Sequence, residues 1–184
     1  QVFMNPRRVA LTSQEVMLAL MTHILAGITP ASPAPLVTFY DCATGERMEL
    51  SGITMSNWVA KVSNFLVDEL DVEIGTRLRI GLREHWLRYV WLLSCWNTGV
   101  VVADHDTSIG LSGPELQAEE PVKIASALAP FGMRFAQAPA GFMDIGIEVP
   151  NHSDHYEPFN VPGPSDLAWD INGEMRTHEQ ALLA

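Results

Sequence analysis

Basic residues, cysteines and long apolar runs are all scarce in this chain of 184 residues. Eleven Lys and Arg residues stand against 22 Asp and Glu residues, which gives a formal net charge of −11. That balance disfavours nucleic-acid binding, which relies on cations that neutralise phosphate, and it disfavours docking on anionic membranes. The two cysteines, Cys42 and Cys95, are too few for a disulfide scaffold and too far apart for a metal or redox motif. We therefore expect free thiols and a cytoplasmic location.

The scarcity of long apolar runs also argues against a membrane span. The longest helical run, residues 16–25, is shorter than the ~18–20 residues that a membrane-spanning helix needs. Neither end of the sequence has the pattern of a signal peptide. Hydrophobic residues nevertheless make up 47% of the chain, which is too many for a disordered acidic tail. The length suits a single domain with one core.

Charge and proline divide that domain unevenly. Residues 1–111 carry a net charge of −3, whereas residues 112–184 carry −8 and eight of the 12 prolines. Proline at such density interrupts regular elements and favours turns and extended segments. We expect one α/β domain over residues 1–184, with its core in residues 1–111 and a more loosely structured, acidic remainder in residues 112–184.

Hydrophobic periodicity predicts alternating helices and strands. A capping-box sequence at residues 12–15 (TSQE) begins a predicted helix that Gly27 ends. The apolar run at residues 100–103 is typical of a strand buried on both faces. This alternation favours an α/β sheet with right-handed crossovers. The other predictions are a hairpin over residues 36–50, helices over 54–70 and 84–97, strands over 77–82 and 122–127, a short helix over 142–149 with Asp144 near its start, and a loop over 151–172.

Residues 36–106 resemble the start of the adenylate-forming enzymes, the superfamily of acyl-CoA synthetases, peptide-synthetase adenylation domains and luciferases. The resemblance is carried by the hairpin, by V-x-x-V-x-x-x-L at residues 59–66, by EIGTRL at 73–78 and by NTGV at 97–100. The chain also resembles short actinobacterial proteins that look like truncated relatives of the synthetases. The resemblance implies a partial doubly wound sheet like the first part of the acyl-CoA synthetase N-terminal domain, with a β-hairpin and flanking helices.

The phosphate-binding loop of that family is degenerate in this sequence. In the family, the loop [ST]-S-G-[ST]-T-G-x-P-K-G lies between a D-x-A-x-[IL] strand and a T-H-x-x-[LA] helix start. Here DLAW at residues 166–169 and THEQAL at 177–182 flank a short segment with one glycine, Gly173, and no Lys or Ser. The acids Asp170 and Glu174 in that segment would repel a triphosphate.

The resemblance therefore implies a chain that does not use ATP as a cofactor. The chain ends before the family's adenine-binding segment and its C-terminal catalytic domain. Our leading hypothesis is a non-catalytic or cryptic remnant of an AMP-forming acyl-CoA synthetase-like domain. Such a remnant would act as a binding or interaction module and would not be an enzyme by itself.

Three residues are candidates for binding an acyl or CoA ligand without adenylation. His85 and Trp86 follow a predicted strand, at a turn that lies near the acyl pocket in synthetases. Asp104 follows the strongest predicted strand, at the carboxyl end where open α/β sheets bind ligands. In the alternative interpretation, Trp86 anchors the helix on the sheet while His85 caps it or extends its polar tip toward solvent.

A divalent-metal site is a separate possibility. Asp104, His105, His152 and His155 would supply imidazole and carboxylate ligands and leave a position open for water, as in a small metal-dependent hydrolase. The alternative is that both clusters are polar loops whose side chains face solvent.

The predicted helix over residues 84–97 is apolar on every side. It carries Tyr89, Trp91 and Trp96 as well as Trp86. A helix of this kind must be covered on all faces. We therefore expect a homo-oligomer or a protein partner to cover the face that the sheet leaves exposed.

Overall fold

The computed structural model describes residues 2–3, 35–42 and 44–183, which form two sheets and four α-helices. The helix predicted over residues 12–27 lies outside the described residues. The strands are β1 (Val2–Phe3), β2 (Pro35–Asp41), β3 (Glu46–Ser51), β4 (Arg77–Gly81), β5 (Val101–Ala103), β6 (Ile109–Ser112), β7 (Val122–Ala125), β8 (Met143–Asp144), β9 (Leu167–Ile171) and β10 (Glu174–Thr177). The helices are α1 (Gly52–Asp68), α2 (Trp86–Thr98), α3 (Ile145–Glu148) and α4 (His178–Leu183), with 3-10 turns at Pro130–Gly132 and Val149–Asn151.

The smaller sheet contains the predicted hairpin, which is confirmed. Its strands are ordered β1-β2-β3 and all run antiparallel. Alternate residues of the hairpin are buried, Val37 and Phe39 on β2 and Met48 and Leu50 on β3, because only one face of a two-sided strand packs on the core. That buried face contacts helices α1 and α2.

The larger sheet has the order β10-β9-β5-β4-β6-β7-β8. Only the β9–β10 pair is antiparallel, and the remaining neighbours are parallel. The predicted α/β fold is therefore confirmed as a mostly parallel sheet with a separate antiparallel hairpin and flanking helices. Within the described part of the chain, no helix combines the length and the apolar character needed to cross a membrane.

Local sequence signals set the bounds of the two main helices. The Ser51 hydroxyl accepts a hydrogen bond from the Thr54 amide at 3.2 Å and caps α1. At the start of α2, His85 Nδ1 accepts from the Leu87 amide at 3.3 Å. Gly99 ends α2 in the left-handed region, with φ of 76°, where glycine carries no steric penalty.

The chain itself covers every side of α2, which removes the reason for expecting a partner on that helix. Tyr89, Trp91 and Trp96 are all buried. Phe65 of α1 packs edge-on against Trp91 at 6.2 Å between ring centroids, and Trp169 of β9 packs against Trp96 at 5.9 Å. Helix α1 and strands from both sheets cover the faces of α2 that we expected an oligomer or a partner protein to cover.

The C-terminal part contributes more of the sheet than the sequence pattern indicated. The strand predicted at residues 122–127 and the short helix capped by Asp144 are both present, as β7 and α3. Strand β6 was not predicted, and the loop predicted over residues 151–172 is wrong at its end, where β9 lies. Four of the seven strands, β7 to β10, come from residues 122–177.

Helix α1 holds the irregular segment that precedes β9. The Lys61 ammonium donates to the Pro150 carbonyl at 3.3 Å. The Asn64 amide donates to the carbonyls of Ser153 and His155 at 2.9 and 3.0 Å. The polar side of the helix is therefore bound to another part of the chain and does not simply face water.

Candidate functional site

A pocket of about 380 Å³ opens at the carboxyl ends of β4, β5 and β9, beside helix α2. This edge of an open α/β sheet is where ligands commonly bind. The pocket combines an apolar wall with a few polar groups at its rim, which is the usual composition of a small-molecule site. The apolar wall includes Ile80, Tyr89, Leu92, Val102, Ala103, Trp169 and Ile171, and the polar groups belong to Arg79, Arg88, Asp104, Asn172 and Glu174.

A tight turn at Asn172 and Gly173 forms one side of the pocket. Both residues have positive φ, 54° and 77°, as a type I′ hairpin turn requires. The turn joins β9 directly to β10, which runs into α4. Strand β9 and helix α4 therefore lie where a strand and a helix were expected to flank a phosphate loop. Only the two-residue turn and strand β10 lie between them.

The Asp104 carboxylate fixes this turn. One of its oxygens accepts from the Asn172 amide at 2.8 Å, and the other lies 2.8 Å from His105 Nδ1. The hydrogen bond with His105 lowers the pKa of Asp104 and raises the pKa of His105, since each ion stabilises the other. Of the three predicted ligand-binding residues, Asp104 is the one that lines the pocket.

The acids of the degenerate phosphate loop are both paired with arginines, and their repulsion of a triphosphate stays a prediction. Asp170 accepts from Arg77 Nη2 at 2.8 Å and lies 3.3 Å from His105 Nε2. Its side chain is only 9% exposed. Glu174 accepts from Arg176 Nε at 2.6 Å. Both carboxylates therefore stabilise the hairpin.

The two arginines of the pocket differ in how far their charge is neutralised. Arg79 makes two hydrogen bonds to Glu120, including one of 3.1 Å between Nη2 and Oε2, on the buried side of the site. Arg88 Nη1 lies 3.6 Å from Glu84 and donates to the Leu82 carbonyl at 3.3 Å, and the Arg88 side chain is 36% exposed. Because an exposed pair at that distance is weak, Arg88 is the pocket cation better able to attract an anionic ligand.

His85 and Trp86 are buried in the core and do not line this pocket. Burial lowers the pKa of His85 to about 4, so the imidazole is neutral at physiological pH. Its ring packs against Phe39 at 4.8 Å, and Trp86 packs against Trp58 at 5.3 Å. His85 caps helix α2 and Trp86 anchors it, which are the roles that the alternative interpretation gives to these two residues.

The predicted metal site does not form, because its residues lie in two places. Asp104 and His105 lie at the sheet edge and bind each other. His152 packs against Phe65 at 5.8 Å, in the segment that α1 holds, and the carbonyl of His155 is held by the same helix. Within residues 35–42 and 44–183, no group of three or more His, Cys, Asp or Glu side chains could hold a metal ion.

Sequence reasoning missed the residues that build this site. Arg77 and Arg79 alternate along β4, which is a visible sign that they share one face. The Asn172-Gly173 pair between alternating residues is a strong hairpin signal. For Arg88, no local signal separates a pocket residue from any exposed arginine of a helix.

Comparison with known proteins supports the fold and gives one sequence relative. No protein-family model matches the chain. A TIGR03089 family protein of Mycobacterium tuberculosis (strain ATCC 25618 / H37Rv) is 35% identical over 154 residues, which cover 77% of this chain. The chain spans 63% of the length of that curated relative.

Solved structures that are similar to this fold include acyl-CoA synthetases and ligases. An acyl-CoA synthetase of Brucella canis matches with a TM-score of 0.59 and 18% identity, over 70% of this chain and 26% of that one. A fatty acyl CoA synthetase of M. tuberculosis matches with a TM-score of 0.54 and 14% identity, over 90% of this chain and 34% of that one. A benzoate CoA ligase of Burkholderia xenovorans LB400 matches with a TM-score of 0.59 and 13% identity, over 89% of this chain and 34% of that one. The chain therefore has the fold of part of an acyl-CoA synthetase.

Proposed function

We propose that this chain is a non-catalytic, ligand-binding relative of the acyl-CoA synthetases. It binds a small organic acid in the pocket at the carboxyl ends of β4, β5 and β9, and it does not activate that acid with ATP. The observation that carries the proposal is the hairpin turn at Asn172 and Gly173, which lies where the resemblance to synthetases places a phosphate-binding loop.

The turn lacks the groups with which such loops bind phosphate. Gly-rich loops direct several free backbone amides at the anion. Here the Asn172 amide already donates to the Asp104 carboxylate. The one cation of the segment, Arg176, is bound to Glu174 and lies over the Trp169 ring at 5.5 Å. A triphosphate at this place would have to displace both interactions.

The pocket suits an organic acid better than a nucleotide. Its apolar wall matches a hydrocarbon or aromatic body, and Arg88 on α2 supplies a cation for the carboxylate. The other charges that line the pocket are held by neighbouring residues at shorter distances than the 3.6 Å between Arg88 and Glu84. The structural neighbours include a benzoate CoA ligase and a fatty acyl CoA synthetase, proteins named for organic acids, which supports the same ligand class.

Calorimetric titration with benzoate, octanoate and Mg-ATP tests the proposal. We expect benzoate or octanoate to bind and Mg-ATP to give no binding heat. The variant Arg88→Gln should weaken binding of the acid by roughly tenfold to a hundredfold, which is the range for one charged hydrogen bond. Arg83→Gln is the matched control, because Arg83 is exposed, pairs with Asp41 and lies outside the pocket.

Two results would contradict different parts of the proposal. Release of pyrophosphate from ATP in the presence of the acid and CoA would show that the chain is catalytic. Equal affinity of the wild type and Arg88→Gln for the acid would show that the ligand binds elsewhere.

A further inference from the structure

We infer that two copies of this chain pair edge to edge through strand β10. This strand lies at one end of the seven-stranded sheet, and within the described residues only β9 pairs with it. Glu174 is exposed to 57% and Met175 to 64%, whereas Arg176 is exposed to 24% and forms an ion pair with Glu174 of its own chain. An exposed edge strand is a template for pairing with another chain.

The side chains of β10 alternate between the two faces of the sheet. Arg176 is opposite Trp169 in the strand register and lies over its ring, so Arg176 and Glu174 share the face on which the pocket opens. Met175 is opposite Asp170 and lies on the other face. An antiparallel pairing of two copies centred on Met175 therefore sets Glu174 of each copy opposite Arg176 of the other.

This charge pattern selects a second copy and a single register. Opposite charges that face each other across two strands stabilise the pair, and like charges destabilise it. Moving the centre of the pairing by one residue sets Glu174 against Glu174, or Arg176 against Arg176. In this register the Glu174–Arg176 ion pairs of the two copies lie side by side, with opposite charges facing each other across the join.

The pairing joins the two larger sheets into one and does not depend on the proposed function. The two-fold axis passes between the two Met175 residues, perpendicular to the sheet, so both pockets open on the same face of the combined sheet. Ile171 and Glu174 line each pocket, which places the pockets on either side of the join. The two Met175 side chains contact each other on the opposite face.

Sedimentation equilibrium with charge-reversal variants tests this inference. We expect the wild type to have twice the 20.3 kDa mass of the chain. Glu174→Arg and Arg176→Glu should each weaken dimerisation by at least about tenfold, since each turns two attractive pairs into repulsive ones. An equimolar mixture of the two variants should form a heterodimer, and the doubly substituted chain should dimerise like the wild type.

Arg47→Glu is the matched control, because Arg47 and Glu49 have the same spacing on β3, the edge of the smaller sheet. On β3 the residue between the two charges, Met48, is buried in the core, whereas Met175 of β10 is exposed and can contact a second copy. We expect this variant to stay dimeric. Glu174→Arg leaves Arg176 over Trp169, so it tests the edge even if Arg176→Glu fails to fold. A wild type that is monomeric at roughly 100 µM, a dimer that Glu174→Arg leaves intact, or a dimer that Arg47→Glu dissociates would each overturn the inference.

Discussion

Replacing Glu120 with glutamine should destabilise the fold in a pH-dependent way. The Glu120 side chain is only 8% exposed and lies over β6, where its carboxylate would be 2.0 Å from a Cβ atom added to Gly110. The carboxylate accepts hydrogen bonds from Arg79 Nη2 and the Thr107 hydroxyl, both at 3.1 Å, and from the Glu119 amide at 2.9 Å. The Glu120 carboxylate thus connects β4 to residues 113–121, the segment that joins β6 to β7.

The size of the effect follows from the pKa of this carboxyl. Burial by itself would raise the pKa, but the hydrogen bonds and charge of Arg79, together with the backbone amides, outweigh it and hold the pKa at about 2, against an ordinary value of 4.5. Since one pH unit corresponds to 1.36 kcal/mol, ionised Glu120 stabilises the fold by up to about 3 kcal/mol at pH 7. Glutamine can still accept from Arg79, so we expect a loss of about 2 kcal/mol.

The sign of the pH dependence is fixed, because the pKa is lowered by folding. The stabilisation is fully present above pH 4.5 and is lost as the pH falls toward about 2. Urea unfolding of the wild type and Glu120→Gln between pH 7 and pH 3 should therefore give a stability difference that shrinks to less than half at pH 3. Glu119→Gln, at an exposed neighbour, is the control and should change stability by under about 0.5 kcal/mol. A difference that stays constant over this pH range, or that is absent at pH 7, would refute the reasoning.

Two further predictions test the packing around the sheet. Gly110→Ala should lower stability by about 1–3 kcal/mol in thermal or urea unfolding, because its methyl group would lie 2.0 Å from Glu120 Oε2. The control Gly163→Ala, where the nearest atom is 3.5 Å away, should be close to neutral, and equal effects of the two changes would contradict the packing. In the native protein a thiol reagent should modify the exposed Cys42 quickly and Cys95 only after unfolding, since burial raises the pKa of Cys95. Rapid modification of both thiols without denaturant would show that helix α2 is not buried.

Much of the fold could be predicted because its elements carry local signals. The hairpin and α1 show clear periods of two and 3.6 residues, and Ser51 before α1 and Gly99 after α2 are recognisable caps. Strand β6 is only four residues long and includes Gly110, so it gives too short a pattern to detect. Strand β9 follows a segment rich in proline, and only the Asn172-Gly173 turn after it indicates a hairpin.

The candidate site was less predictable, because it depends on contacts between distant residues. Asp104 could be singled out because it follows a strongly apolar strand. The ion pair between Arg77 and Asp170 joins residues 93 positions apart, and no local pattern couples them. The position of His85 and Trp86 after a strand does not reveal their burial, which depends on the hairpin and α1 packing over them.

The position of β9 in the sheet also has a consequence for how the chain folds. Strand β9 pairs with β5, and the Trp96 indole N–H donates to the Ala168 carbonyl at 3.2 Å, across 72 positions of sequence. Until residues 167–171 have been synthesised, β5 lacks one neighbour and Trp96 lacks its hydrogen-bond acceptor. Pairing over such a separation is slow to form, so a nascent chain that contains α2 but not β9 exposes an apolar strand edge. During synthesis, the edge of β5 therefore remains open to aggregation until β9 has paired with it.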